Sequence, residues 1–149
     1  MEYVVLSDLK DRIVKLSWSK GERYAEEATR KSSPWWNFHV IIKTPFIDFD
    51  VVSESMQEFE LKDLYEALEN RKNFDEGQVE LVEFMEPDYQ FGISKDAGYL
   101  NIHLGYSSSS NAELILNNNS IYSDSLKIEL SCENLDDIAR YIKKILITT

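Results

Sequence analysis

The sequence predicts an α+β fold: a mainly antiparallel β-sheet, in one layer or two, with two helices at about residues 60–72 and 134–147. Three observations carry this. Apolar residues alternate with period two through most of the chain, they switch to helical spacing in two places, and short turn signals separate the strand-like runs. Consecutive strands joined by short turns pair antiparallel, whereas strict strand–helix alternation would give a parallel sheet. At 149 residues, 43% of them hydrophobic and 12% aromatic, the chain carries enough apolar surface for a packed core. It reads as a single domain over residues 1–149, with no linker, internal repeat or heptad array.

The elements follow in order. The N-terminus, Met1 to Asp8, is a short apolar run flanked by acids and has no signal-peptide character. Val14, Leu16 and Trp18 alternate with Lys15, Ser17 and Ser19, a half-buried strand. Trp36, Phe38, Val40 and Ile42 repeat the pattern until Thr44-Pro45 interrupts it, because proline has no ladder N–H and restricts its predecessor. Ile47, Phe49 and Val51 resume on a neighbouring strand, with a tight bend at the proline. Leu61, Leu64, Tyr65 and Leu68 then give a helix face that ends by Asn73.

Strand signals return at 78–86, 89–95, 98–106, 112–118 and 121–131. Turns are expected at Ala97-Gly98, at 107–111 and at 117–120. Within 78–86 the alternation fails: Leu81-Val82 and Phe84-Met85 are paired apolars, which predicts a bulge or a strand covered on both faces. The last helix takes Asn134 as N-cap, Asp136 and Asp137 in its first turn and Lys143-Lys144 in its last, around an apolar stripe from Leu135 to Leu146.

Charge is the most uneven property of the chain. Residues 46–96 hold fifteen acids against four bases, which equals the whole-chain net charge of −11; the flanks cancel. Such a field repels nucleic acid and anionic membrane and attracts a basic partner. The lysines and arginines of the first forty residues are scattered among acids, without the regular aromatic spacing of a nucleic-acid stripe. No run of about 18 apolar residues suggests a membrane span. The one cysteine, Cys132, reads as a buried thiol in a reducing compartment, and a cytoplasmic location follows.

The catalytic inventory is thin, and the chain is read as a non-enzyme with no cofactor and no metal. It has no Cys-x-x-Cys pair, no His-Glu-x-x-His and no glycine-rich phosphate loop. His39 and His103 fall mid-strand on polar faces and would approach each other only if their strands were neighbours. Asp48 and Asp50 point the same way from one strand, but no calcium-loop pattern accompanies them, so a solvated face is the default.

A protein-docking surface remains. Its candidate residues are Asp48, Asp50 and Glu54 on the strand after Pro45; Asp63, Glu66 and Glu69 on the helix; and Asp75, Glu76, Glu83, Glu86 and Asp88 beyond it. Glu80 extends the same acidic character, and Trp35, on the strand face opposite Trp36, is a candidate aromatic anchor, as is Tyr89. Solubility alone is the competing explanation of the charge.

Three stretches resemble the WapI-type immunity proteins, cytoplasmic antidotes encoded beside polymorphic contact-dependent toxins. They are the aromatic-led strand and bend from Trp35 to Phe46, the helix from Glu60 to Leu68, and the strand-to-helix close from Leu126 through Asn134-Leu135 to Leu146. The likeness covers about residues 12–147 as pattern; the closing turn reads Ser131-Cys132-Glu133-Asn134 where such proteins often have an Asp-Gln-Thr-like turn. The resemblance implies a bacterial inhibitor that binds a cognate basic toxin domain, often a nuclease, whose phosphate-binding cleft an acidic surface can mimic. The alternative is a non-enzymatic interaction adaptor or small-ligand-binding module unrelated to toxins.

Overall fold

Eight strands and two helices are formed by the residues that the computed structural model describes, namely 2–21, 34–103 and 125–147. The strands are β1 (Val4–Ser7), β2 (Ile13–Lys20), β3 (Trp35–Lys43) and β4 (Asp48–Gln57), followed by helix α1 (Glu58–Asn70) and a single 3-10 turn (Arg71–Asn73). Then come β5 (Glu80–Glu83), β6 (Tyr89–Ile93), β7 (Ala97–His103), β8 (Ser125–Ser131) and helix α2 (Cys132–Ile147). Two antiparallel sheets result, in the orders β1-β2-β3-β4 and β5-β6-β7-β8, so the fold is α+β with two sheet layers. The described elements thus run twice through the same order, four strands and then a helix. No sequence repeat announces this, because the two halves share topology and not residues.

The alternation sets which face is buried. On β3, Trp36, Phe38, Val40 and Ile42 are buried, and on β4 Phe49 and Val51 continue the same face. Phe38 meets Tyr89 edge-on at 4.8 Å between ring centroids and lies 6.4 Å from Phe91, so the inner faces of the two sheets touch there. Helix α1 packs on β4, β5 and β6, α2 packs on β1, β7 and β8, and the helices touch each other. One cluster of buried residues therefore spans both sheets and both helices.

The bend at Pro45 forms as expected. Thr44 Oγ1 accepts from the Phe46 and Ile47 amides at 3.1 and 2.9 Å, and the Thr44 N–H donates to Ile47 O at 2.8 Å. Other expectations need correction. The N-terminal apolar run, to which the sequence reading gives no element, is a strand, β1, with Val4 and Leu6 inward. The turn expected at Ala97-Gly98 lies earlier, since the Ser94 amide bonds Ala97 O at 2.9 Å and Gly98 already pairs with Ile93. The N-cap of α2 is Ser131: its Oγ accepts from the Asn134 amide at 3.1 Å, while Asn134 Oδ1 accepts from the Ser131 amide at 2.9 Å. This reciprocal box places Asn134 inside the first turn.

The bulge expected near residues 81–85 is found on β4 instead, where Ser55 is the extra residue between the pairs Asn37–Glu54 and Trp36–Met56. Around β5, Val82 and Phe84 are buried whereas Leu81 and Met85 stand 53% and 71% exposed, so the outer face is uncovered. The expected strand at 112–118, the turns at 107–111 and 117–120, the ends of two further strands and Arg23, Arg30 and Lys31 lie outside the described residues.

Candidate functional site

Helix α1 begins with an internal tie. Glu60 is 5% exposed; its Oε1 accepts from the Gln57 amide at 3.0 Å and its Oε2 from the Met85 amide at 2.7 Å. One carboxylate thereby caps the helix and anchors it to the chain just after β5. With Glu60 held, Asp63, Glu66, Ala67 and Asn70 run on along the same side of the helix and face β5. Together with Glu80, Leu81, Val82 and Glu83 they line a groove of about 270 Å³.

Asp63, Glu66, Glu80 and Glu83 are all exposed, and among the described residues no lysine or arginine lines the groove. Glu83 accepts a hydrogen bond from Gln90 Nε2 at 2.8 Å, which orients it on the strand. The opening is an acceptor-rich slot with an apolar wall. Its chemistry suits a cation carried on an aliphatic stem, lysine or arginine above all.

The far end of α1 is fixed by Arg71, only 2% exposed. Its Nη1 donates to Leu68 O at 2.9 Å, and its Nη2 lies 2.5 Å from Asp136 Oδ1, 3.4 Å from Cys132 O and 3.5 Å from Cys132 Sγ. Burial acts against the charge on Arg71, but the hydrogen bonds to Asp136 and Cys132 outweigh it and hold the guanidinium more firmly protonated than usual. The same hydrogen bond holds the Asp136 carboxyl below the usual range, with burial working the other way. Arg71 thus joins the end of α1 to the start of α2 and sets the helix that carries the acids.

The other expected acids lie elsewhere. Asp48, Asp50 and Glu54 project from the outer face of β4. There Asp48 stands opposite Lys43, and Asp50 Oδ1 is 2.6 Å from His39 Nε2, whose Nδ1 is 3.1 Å from the Tyr3 hydroxyl. Glu69, Asp75, Glu76 and Glu86 are exposed on the last turn of α1 and on loops. Asp88 is a correction: it is buried, and its carbonyl accepts from the His103 amide at 2.8 Å. Tyr89 is another, buried against Phe38, with burial pushing its hydroxyl up to about 12. Trp35 is half-buried at the start of β3.

His39 and His103 sit on different sheets, and among the described residues no group of three or more metal-binding side chains is assembled. Cys132 is exposed rather than buried, because the capping box at Ser131 turns the first helical residue outward. Sequence reasoning gives Glu60 no role and names Glu80 only as an extension of the acidic character. The helical spacing of Glu60, Asp63, Glu66 and Asn70 was visible, but not that β5 would lie alongside it. No helix of the described residues is long and apolar enough to cross a membrane. No family model, curated protein or solved structure matches this chain.

Proposed function

We propose that this protein is a non-enzymatic immunity protein that neutralises a cognate basic toxin domain by stoichiometric binding, with the α1–β5 groove at the centre of the contact. The observation that carries the reading is the meeting of Asp63, Glu66, Glu80 and Glu83 around one opening that no base among the described residues lines. Scattered acids serve solubility; like charges brought together from a helix and a strand repel one another, and a cationic partner relieves that repulsion. The resemblance of residues 12–147 to WapI-type immunity proteins supplies the biological setting, a bacterial cytoplasm in which contact-dependent toxins arrive.

The test is co-expression with the toxin domain encoded beside this chain. The expected result is protection of the cell and a salt-sensitive complex. A quadruple variant, Asp63→Lys, Glu66→Lys, Glu80→Lys and Glu83→Lys, should slow association by about 10-fold or more at low salt. Neither a complex nor protection with the native chain would overturn the proposal.

A further inference from the structure

The hydrogen-bond phase of the second sheet can be followed strand by strand. The Ser94 amide bonds Ala97 O and the His103 amide bonds Asp88 O, so the even-numbered residues of β6 bond towards β7. Its odd-numbered residues therefore bond towards β5, where Phe91 pairs with Val82 and Ile93 with Glu80. Consequently the N–H and C=O groups of Leu81 and Glu83 point away from the sheet, as does the Met85 amide. The bond from Met85 N–H to Glu60 Oε2 confirms that direction.

The two edges of this sheet are finished differently. By the same phase, the carbonyls of Lys127 and Glu129 face outward on β8. Both are covered by the turn between β1 and β2: the Leu9 amide bonds Glu129 O at 3.0 Å, and Arg12 Nη2 bonds Lys127 O at 3.1 Å. At the β5 edge, among the described residues, only the Met85 amide just beyond the strand is so covered. Among the described residues no backbone group meets the outward N–H and C=O of Leu81 and Glu83. Edge strands are ordinarily closed against pairing.

Around this open edge the two faces differ in chemistry. The outer face presents Val79 (51% exposed), Leu81 and Met85, with Glu83 and its partner Gln90 between the last two, and the row from Leu81 continues through Gly92 to the Tyr99 ring. Towards α1 lie Asp63 and Glu66, with Glu80 beside them. A strand laid along β5 would place alternate side chains against these two surfaces.

We infer that β5 is a strand-addition site for an extended segment of a basic partner, with apolar and Lys or Arg residues in alternation. Outward Leu81 and Glu83 supply the main-chain bonds, the outer apolar row takes one set of side chains, and Asp63 and Glu66 take the cationic set. The carboxylates also reject neutral and acidic strands, so the edge stays unpaired until a complementary one arrives. This inference rests on the acidic-docking reading above and specifies how the groove is used.

The probe is a synthetic peptide alternating lysine and valine, about eight residues long, compared with the same peptide N-methylated at alternate backbone amides. Methylation leaves the charges and removes the ladder donors. Amide exchange followed by NMR on the full chain supplies the second readout. The expected result is slowed exchange at Leu81 and Glu83 on adding the unmethylated peptide, and binding at least about 10-fold weaker for the peptide methylated on its pairing edge. The variant Leu81→Pro, which removes an amide that β6 does not use, should weaken binding similarly while the sheet persists. Equal binding of both peptides, with unchanged exchange at Leu81 and Glu83, overturns strand addition and leaves acidic docking standing. Binding of neither overturns both at this groove.

Discussion

Replacing Arg71 by methionine should remove the tie between α1 and α2 while keeping most of the aliphatic volume. The structure sets the size of the effect. The bond from Nη1 to Leu68 O is buried and charge-assisted, worth about 2 kcal/mol. The contact with Asp136 is short, but the Asp136 side chain is 39% exposed, so solvent screening reduces it to about 1 kcal/mol. The sum is about 3 kcal/mol, and with a urea slope of about 2 kcal/mol/M the unfolding midpoint should fall by roughly 1.5 M. Equilibrium urea titration followed by tryptophan fluorescence measures it.

The pH dependence is a second check on the same variant. Arg71 lowers the pKa of Asp136 in the folded state. That stabilisation is present above the unfolded carboxyl value of about 3.9 and is lost as pH falls through the lowered folded value. The gap between the native chain and Arg71→Met should therefore narrow below about pH 4. A midpoint shift under about 0.3 M, or a gap that stays constant in acid, would refute the assignment.

Two further outcomes follow from other contacts. A Cβ on Gly92 would sit 2.2 Å from the Tyr99 ring, so Gly92→Ala should cost about 1–2 kcal/mol and much less in a Tyr99→Ala background; equal costs in a double-mutant cycle by urea unfolding would show that the ring is not the obstacle. Cys132 should react fully with a thiol reagent in native buffer, monitored by mass spectrometry, and a requirement for denaturant would contradict its exposure.

Much of the architecture was legible in the chain because burial periodicity is a local property. The alternation through Trp36, Phe38, Val40 and Ile42, the break at Pro45 and the stripe Leu61–Leu64–Leu68 each identify an element and its inner face from neighbouring residues alone. Where reading failed, a distant partner decided. Leu81-Val82 and Phe84-Met85 suggest a bulge or a doubly covered strand, yet among the described residues β5 is an edge with one open face. Asn134 looked like a cap because its residue type favours that position, but Ser131 three residues earlier forms the reciprocal box. Cys132 looked buried from its apolar neighbours, although the helix it starts faces it outward.

The acidic segment divides along the same line. Sequence by itself determined that residues 46–96 hold the net charge, that Asp48 and Asp50 leave the outer face of a strand, and that Asp63 and Glu66 leave the solvent side of a helix. Each statement depends only on the repeat of one element. Tertiary structure alone decided that the helix acids join Glu80 and Glu83 in a groove while those of β4 lie apart, and that Asp88 is withdrawn from solvent. The reason is that α1 is pinned at both ends, by Glu60 to the Met85 amide and by Arg71 to Cys132 and Asp136 at the start of α2. The buried carboxylate of Glu60 and the buried guanidinium of Arg71 each find a partner far along the chain, the Met85 amide and Asp136.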